Sequence, residues 1–419
     1  MYIPRAVDRL IKRAVEGKGV VLVTGARQVG KSTSLENVLP GRRSVTLDDP
    51  FLEDQANADS RTFMELNPPP VTVDEVQRAP VLFRSIKQAC DRRRGEKGLY
   101  CLSGSQPFHL MKGVSESLAG RVRILEMSGL SLREINGDGC SEHFLPTEEF
   151  IVGRARSEKG NLPIWDVIHR GSYPELQEPG TIWNEYYADY VKTYLERDVR
   201  ALAAVQDLGA FRQFMVAAAS RTSHVLNYSN IADEIGKDVG TVKKWISILE
   251  ASGIVYILQP YASSELKRAI KAPKLHFRDS GLVSYLTRWL TSEQLSCGAM
   301  SGPVFESFVV SELLKSYSNE GLDYRDFVSY YRGRDKRKVR RDGEVVLEEG
   351  EIDLIIEENG VLYPIEVKKS SVPRASDTDC FQSLDAVTGR KRGCGAIICN
   401  CAAPTRLREN LMAVPVGCI

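Results

Sequence analysis

The sequence predicts an α/β protein: a three-layer domain around a parallel sheet, a helical region with a winged helix, and a small α/β domain. Three observations support this prediction. A strand, a glycine-rich loop and a helix follow one another at residues 19–33. Strand and helix signals then alternate to about residue 129, and short apolar strands return in the last third of the chain. With 419 residues, the chain is long for a single core, so several domains are expected.

Composition and net charge limit the classes of protein to which this chain can belong. Hydrophobic residues make up 42% and charged residues 26%, as in soluble globular proteins. The formal net charge is +1, so a nucleic acid or membrane must be met by a local patch. No apolar run approaches the roughly 18–20 residues of a membrane helix, and a signal-peptide core is absent. Nine dispersed cysteines without a C-x-x-C pair predict reduced thiols, no zinc site and a cytoplasmic location.

The chain begins with a predicted amphipathic helix, which has Val7, Leu10, Ile11 and Val15 on one side. An apolar run of β-formers at residues 20–23 then predicts a buried strand. This strand leads directly into the loop around which the first domain is organised.

Residues 25–32 read GARQVGKS and fit the pattern G-x-x-x-x-G-K-[ST]. The two glycines let the backbone turn its N–H groups toward phosphate oxygens. Lys31 would place an ammonium group against the β- and γ-phosphates, and the Ser32 hydroxyl would ligate Mg²⁺. A chance glycine loop is the alternative, and the preceding strand and the helix expected from residue 34 disfavour it. The predicted nucleotide-binding residues are Gly25, Ala26, Arg27, Gln28, Val29, Gly30, Lys31, Ser32 and Thr33.

Two acids end a later buried strand at residues 71–75, after a shorter strand at 44–47. Asp74 can hold Mg²⁺ through water, and Glu75 can polarise the attacking water. Paired acids at strand ends are common, and their place about forty residues behind a phosphate loop is what favours this role.

Two further catalytic candidates follow in the first domain. A strand at residues 98–102 ends in Ser103, Ser105 and Gln106, at the sheet edge where parallel sheets bind ligands. Ser103, Ser105 or Gln106 could therefore sense the γ-phosphate or orient the water, although a plain polar turn explains any one of them nearly as well. Arg121 precedes a fifth strand and is a candidate γ-phosphate contact, in cis or across the boundary of a homo-oligomer. A solvated arginine is the alternative.

The motifs GARQVGKST, VTVDEVQRAP, LSGSQ and AGRVRILEMSGLSLREI, with the later YVKTYLERDVRAL, resemble the AAA-type ATPases related to the STAND ATPases. In particular they resemble the family with a C-terminal DUF4143 region, and the similarity covers nearly the whole chain. The resemblance implies a P-loop module that binds and hydrolyses ATP. It carries little information about the substrate.

The middle of the chain is predicted to be helical. A long helix over residues 182–204 carries an aromatic stripe, which we interpret as packing. Arg197 and Asp198 near its end fit a conspicuous pair of that family, with no assigned role. Residues 211–272 predict a winged helix-turn-helix with Ser229 as an N-cap. Lys243 and Lys244 on its second helix could contact DNA phosphates or the major groove, or the domain could serve only in protein packing.

The last domain is predicted to contain a helix at residues 302–314 and strands at 327–331, 350–356, 361–368 and 394–399. A strongly basic hairpin at residues 334–341 would grip a nucleic-acid backbone.

Glu306, Asp353, Glu366 and Lys368 resemble the motif of the PD-(D/E)xK nuclease-like superfamily. The resemblance implies that Asp353 and Glu366 hold Mg²⁺, with Glu306 reaching in from the helix. Lys368 would activate water or steady the phosphate. The sequence departs from the usual pattern in that no proline precedes Asp353, whereas Pro364 lies just before Glu366. A nuclease-like fold that binds without cleaving is the alternative.

The sequence thus predicts an ATPase domain at residues 1–129, a helical linker or lid at 130–210, a winged helix at 211–272 and a nuclease-like domain at 273–419. The predicted function is Mg²⁺-dependent ATP hydrolysis coupled to a tail that acts on DNA. The alternative is a nucleotide-switched regulatory or scaffolding protein.

Overall fold

The computed structural model describes residues 2–105, 117–139, 142–157, 162–194, 207–261, 272–339 and 345–419. The elements of the first domain are α1 Ala6–Gly17, β1 Val20–Thr24, α2 Lys31–Val38, β2 Arg43–Thr46, α3 Pro50–Ala58, α4 Ser60–Leu66, β3 Val71–Asp74, α5 Leu82–Arg92, β4 Tyr100–Gly104 and β5 Val122–Glu126. The five strands form a parallel sheet in the order β2-β3-β4-β1-β5. The predicted α/β fold class is therefore confirmed, and β1 leads into the glycine-rich loop from the middle of the sheet.

The apolar pattern of α1 places the helix on this sheet. Val7, Leu10, Ile11 and Ala14 are buried, whereas Val15 is only partly buried. Ala14 thus takes the core position that the sequence pattern assigned to Val15. All five residues of β1 are buried, as expected for a central parallel strand with helices on both faces.

The middle of the chain is helical up to a small antiparallel sheet. Its elements are α6 Leu132–Asn136, α7 Glu148–Ser157, α8 Ile164–Arg170, α9 Trp183–Tyr194, α10 Leu208–Ala219, β6 His224–Val225, α11 Tyr228–Ile235, α12 Val239–Ala251, β7 Val255–Leu258 and β8 Lys274–Phe277. Two successive helices, α11 and α12, and a three-stranded sheet of order β6-β8-β7 lie in this region, and its assignment as a winged helix-turn-helix stays a prediction.

Two predictions for this region need correction. Asn227, not Ser229, caps α11, because the Asn227 side chain accepts a hydrogen bond from the Asn230 amide at 3.1 Å. The boundary predicted at residue 272 separates β8 from the two strands with which it pairs. Arg197 and Asp198, for which no role was assigned, lie outside the described residues.

The last part of the chain contains a long helix and a mixed sheet. Its elements are α13 Ser280–Leu286, α14 Ser292–Cys297, α15 Ser301–Glu320, β9 Val328–Val339, β10 Val345–Glu358, β11 Val361–Lys368, β12 Lys391–Arg392, β13 Gly395–Cys399, β14 Thr405–Arg408 and β15 Leu411–Pro415. Short 3-10 turns lie at Val76–Arg78, Pro174–Gln177, Tyr324–Asp326, Ala375–Ala386 and Val416–Cys418. The sheet order is β14-β15-β13-β11-β10-β9, with β12 beside β11. The four predicted strands are present, and β12, β14 and β15 are additional.

Helix α15 of this tail contacts the segment that follows β5 of the first domain through a buried ion pair. Lys315 Nζ donates to Glu312 Oε1 at 2.7 Å and to the Leu130 carbonyl oxygen at 2.9 Å. Glu312 Oε2 accepts a hydrogen bond from the Leu132 amide at 2.7 Å. Both charged side chains are almost fully buried, so each depends on these partners for its compensation.

Strand β8 makes a second connection to the first domain. Arg278, which follows β8, pairs with Glu126 at the end of β5. Its guanidinium also lies 4.1 Å from the centre of the Tyr256 ring. Burial alone would lower the pKa of Arg278, but the Glu126 carboxylate raises it, so the pair is held in its charged form.

Within the described ranges, no helix combines the length and the apolar character needed to cross a membrane. No two cysteines of these ranges are joined by a disulfide.

We expect Glu312→Ala to lower the free energy of unfolding by about 3–5 kcal/mol, because it leaves the Lys315 ammonium buried without its carboxylate. Urea unfolding measures this change. Glu65→Ala is the matched control: its pair with Arg61 is exposed, so about 0.5 kcal/mol or less should be lost. Equal losses in the two variants would contradict the structural role given to Glu312.

Candidate functional site

The glycine-rich loop joins β1 to α2 and requires both of its glycines. A Cβ atom at Gly25 would lie 2.1 Å from the Met127 carbonyl oxygen, so no side chain fits there. Gly30 has φ +93° and precedes the first residue of α2, a conformation that favours glycine. The loop therefore places its backbone N–H groups and the amino end of a helix at one point, an arrangement that suits phosphate.

Lys31 lies inside this loop. Its ammonium group donates to the carbonyl oxygens of Gly25 at 3.1 Å and Ala26 at 2.7 Å. Only 6% of the residue is exposed. An ammonium group held against a glycine-rich loop is a feature that suits a polyphosphate.

Asp74 and Ser32 meet beside the loop. The Ser32 hydroxyl donates to Asp74 Oδ1 at 2.9 Å, and Ser103 donates to the same oxygen. A carboxylate and a hydroxyl side by side are hard oxygen donors of the kind that Mg²⁺ takes in phosphate sites. The residues present thus fit the Mg²⁺ that the sequence predicts.

Glu75 is held by two neighbours. Ser105 Oγ donates to Glu75 Oε2 at 3.0 Å, and the Gln77 side-chain amide donates to the same oxygen. Gln77 Nε2 also donates to Ser105 Oγ at 3.2 Å. Glu75 itself has φ +54°, which is uncommon for a residue with a side chain and is typical of constrained functional positions. The structure thus brings the predicted Glu75 and Ser105 together and adds Gln77, which was not predicted as a site residue.

A cavity of about 280 Å³ opens over the loop. The lid-region helix α9 forms one wall through Tyr190 and Thr193. Tyr186 of the same helix donates its hydroxyl to Gln28 Oε1 at 2.9 Å. Sequence reasoning assigned these tyrosines to packing alone. Their rings do pack together, with Tyr186 and Tyr187 centroids 5.2 Å apart, but the helix also borders the candidate nucleotide site.

Arg121 lies at the opposite edge of the sheet. It immediately precedes β5, and its carbonyl oxygen accepts a hydrogen bond from the Val20 amide at the start of β1. Its guanidinium pairs with Asp91 at 2.7 Å. The loop follows the other end of β1, roughly 13 Å away along the strand. The expected contact within one chain is therefore not made, and a contact across a subunit boundary stays a prediction. Gln106 lies outside the described residues.

A second cluster forms where α15 meets β10 and β11. Lys274 Nζ lies 3.0 Å from Glu306 Oε1 and 3.5 Å from Asp353 Oδ1, and it also contacts Glu351. Glu366 pairs with Lys368. We call Glu306, Glu351, Asp353 and Glu366 the carboxylate cluster. The four residues predicted from the nuclease-like motif are thus brought together, and Lys274 and Glu351 join them unforeseen.

Burial perturbs the acids of this cluster. Burial and the neighbouring Asp353 carboxylate raise the pKa of Glu306 to about 8. The same two causes raise the pKa of Glu366 to about 8. Burial alone would lower the pKa of Lys274, but the surrounding carboxylates raise it above its ordinary value.

The cluster does not fit the Mg²⁺ that the nuclease-like motif implies. Asp353 Oδ2 accepts a hydrogen bond from the Val367 amide at 2.9 Å. Glu306 Oε1 and Asp353 Oδ1 face Lys274, and Glu366 Oε1 faces Lys368. Across the part of the chain that the structure describes, no three His, Cys, Asp or Glu side chains are grouped so as to hold a metal ion.

The predicted DNA contacts are partly described. Lys243 and Lys244 are exposed on α12, with Lys243 Nζ 5.5 Å from the centre of the Tyr228 ring. Strands β9 and β10 pair as an antiparallel hairpin with Val339 opposite Val345. This agrees with a hairpin at residues 334–341. Arg340 and Arg341 lie outside the described residues.

We expect the free energy of unfolding to fall as the pH rises from about 5 to about 8. With pKa values of about 8, Glu306 and Glu366 hold protons in the folded state that the unfolded state releases over this interval. Each group contributes a slope of at most about 1.4 kcal/mol per pH unit. Glu366→Gln should reduce the slope measured by urea unfolding at several pH values. Parallel stability curves for the two proteins would contradict the raised pKa.

Three family descriptions match separate parts of the chain. Residues 17–136 match "AAA domain", residues 163–293 match "Domain of unknown function (DUF8612)" and residues 347–419 match "Domain of unknown function (DUF4143)".

Curated relatives and solved structures also resemble the chain. Uncharacterized proteins of Mycobacterium tuberculosis and Mycobacterium bovis are each 26% identical over 367 residues, which is 87% of this chain and 74% of theirs. The Walker-type ATPase of Pyrococcus abyssi is 14% identical, with 68% of this chain and 96% of that chain covered and a TM-score of 0.41. AMPPCP-bound DnaA of Aquifex aeolicus is 16% identical, with 69% and 95% covered and a TM-score of 0.28.

Proposed function

Because the chain carries an AAA-type ATPase domain and a C-terminal DUF4143 region, we propose that it binds ATP and hydrolyses it with Mg²⁺ at the phosphate loop. One observation carries this proposal. Lys31, the Ser32–Asp74 contact and the Glu75–Ser105 contact all lie at the carboxyl edge of the same parallel sheet. Charge for phosphate, oxygens for a metal and a base for water are therefore available at one place.

Each residue has a separate role in this proposal. Lys31 balances the charge of the β- and γ-phosphates. Ser32 and Asp74 hold Mg²⁺, which when bound neutralises charge on the transferred phosphoryl group. Glu75 orients the attacking water and accepts its proton. Ser105 and Gln77 are positioning residues, because both hold the same Glu75 oxygen.

We expect Lys31→Ala to reduce ATP turnover by about 100-fold or more, because the phosphates lose their buried counter-charge. Phosphate release in the presence of Mg²⁺ measures this. Lys12→Ala, on the exposed face of α1, is the matched control and should turn over ATP like the wild type. Unaltered turnover in Lys31→Ala would contradict the ATPase proposal.

The variant Glu75→Gln tests nucleotide binding and ATP hydrolysis separately. It keeps the shape of the side chain and removes its ability to accept a proton. Fluorescent-nucleotide titration should give nearly wild-type affinity, while turnover falls about 100-fold. A variant that turns over ATP normally would assign the base to another residue.

We further propose that the nucleotide site is coupled to the tail and that the tail acts on DNA. Two elements support this coupling. Helix α15 carries Glu312, which binds the Leu132 amide, and also Glu306 of the carboxylate cluster. Strand β8 carries Lys274 at the same cluster and leads to Arg278, which binds Glu126. A displacement at the end of β5 therefore reaches the cluster through elements that contact both.

DNA would meet the exposed Lys243 and Lys244 and the basic hairpin 334–341. A nucleotide-switched scaffold that binds another protein is the second candidate, because Trp245, Ile246 and Leu249 of α12 are buried, so that this helix serves packing as well as exposing lysines. Comparing ATP turnover with and without DNA distinguishes the two.

We expect duplex DNA to stimulate ATP turnover and the double variant Lys243→Ala/Lys244→Ala to bind DNA more weakly at every sequence. The slope of the logarithm of the binding constant against the logarithm of the salt concentration should become shallower by the equivalent of about two phosphate contacts. Fluorescence anisotropy at several salt concentrations measures both quantities. The matched control is Lys12→Ala/Lys18→Ala, which removes the same charge from α1 and its end. Identical binding by the two double variants would favour the scaffold.

A further inference from the structure

We infer that the ammonium group of Lys274 occupies the cation position of the carboxylate cluster, so that the tail holds no divalent metal and binds without cutting. The inference deepens the proposed function, since it concerns what the tail does to the DNA that it is proposed to contact. It assigns Lys274, a residue outside the nuclease-like motif, as the residue that decides between binding and metal-dependent cleavage.

The first argument is the coordination of Lys274. An ammonium group has three N–H donors, and three carboxylates surround this one, those of Glu306, Asp353 and Glu351. Only 1% of Lys274 is exposed, so the partners of its ammonium group are these three acids rather than water. Each N–H donor of the ammonium group therefore has a carboxyl group as its partner. A small cation in the same place would contact the same three carboxyl groups.

The second argument is the state of the predicted metal ligands. Glu306 and Asp353 Oδ1 face Lys274, Asp353 Oδ2 accepts from the Val367 amide, and Glu366 pairs with Lys368. A Mg²⁺ ion would need oxygens at about 2.0–2.1 Å. An ammonium already in contact with those oxygens would repel it at close range.

The third argument is that strand pairing fixes the position of Lys274. It is the first residue of β8 and is paired on both sides, opposite Val225 of β6 and Leu258 of β7. The same strand is anchored at its other end by the pair between Arg278 and Glu126. Removing the ammonium group from the cluster would require a buried side chain to find another counter-charge, or the whole sheet to move.

Mn²⁺ titration of the full-length chain, followed by electron paramagnetic resonance of the free ion, tests the inference. All variants carry Asp74→Asn, so that the nucleotide site contributes no carboxylate at that position, and no nucleotide is added. The decisive variant is Lys274→Met/Glu351→Gln. It removes one charge of each sign and leaves Glu306, Asp353 and Glu366 in place. Lys369→Met is the matched control, because Lys369 is exposed and its ammonium contacts Ser301.

We expect no tail-dependent Mn²⁺ binding in the parent and in Lys369→Met. Lys274→Met/Glu351→Gln should bind Mn²⁺ about tenfold or more tightly, and adding Asp353→Asn should abolish the gain. Plasmid DNA with Mn²⁺ should stay intact with the parent.

Three results would overturn the inference. The first is Mn²⁺ binding by the parent that Asp353→Asn removes. The second is nicking of plasmid DNA by the Asp74-containing chain that disappears in both Asp353→Ala and Lys368→Ala, and the third is a folded Lys274→Met/Glu351→Gln that gains no affinity for Mn²⁺. If that variant does not fold, the inference is tested by comparing Mn²⁺ binding by the parent with Mn²⁺ binding by the parent that also carries Asp353→Asn. Failure of the ATPase proposal would appear separately, as a chain without ATP turnover whose Mn²⁺ titrations still follow the expected pattern.

Discussion

The buried ion pair between Glu312 and Lys315 sets the position of the tail against the nucleotide-binding domain. Neither side chain reaches water, so each must be compensated inside the protein, and the Leu130 carbonyl and the Leu132 amide provide that compensation. These two backbone groups lie just after β5, the edge strand beside β1. The pair thus constrains where α15 can lie, and α15 in turn positions Glu306. A site more than three hundred residues along the chain depends on the end of a strand next to the phosphate loop.

Lysines and acids appear at both candidate sites but in opposite arrangements. At the phosphate loop, Lys31 donates to carbonyl oxygens, while Asp74 and Glu75 receive hydrogen bonds from hydroxyl and amide groups. Asp74 and Glu75 thus accept hydrogen bonds from uncharged groups, which leaves their charge available to a cation. In the tail, Lys274 and Lys368 contact the acids directly. The same residue types give a site prepared for ligands in one case and a self-compensated cluster in the other.

The first domain could be predicted closely because its signals are local. A strand, a loop with fixed glycines and strand-end acids occupy short stretches, and the parallel sheet follows from their alternation. The contact predicted for Arg121 could have been excluded from the sequence, because in a parallel sheet a residue just before a strand lies at the amino edge, whereas the phosphate loop follows a strand and lies at the carboxyl edge. The N-cap of α11 could not be predicted in this way, since Asn227 and Ser229 are both good N-cap residues and only the actual start of α11 decides between them.

The contacts that bring distant segments together were the least predictable. Lys274 is the first residue of strand β8, and the residues next to it in sequence do not indicate the acids that surround it. The aromatic stripe of α9 has the same helical spacing whether it faces a core or a cavity, so its place beside Gln28 was not visible. Strands β14 and β15 were missed for another reason: their residues 405–415 carry several charged and turn-forming residues, and β15 is buried mainly because β13 lies beside it.

Strand β8 also limits how such a chain can be rearranged. It belongs to the small sheet of the winged region, yet Lys274 at its start is enclosed by acids of the tail and Arg278 just beyond its end is enclosed by the first domain. A gene fusion that exchanged the tail would leave Lys274 without its acids, and one that exchanged the first domain would leave Arg278 without Glu126, each at a cost of several kcal/mol. The parts of this protein are therefore expected to be inherited together, as one folding unit rather than as interchangeable modules.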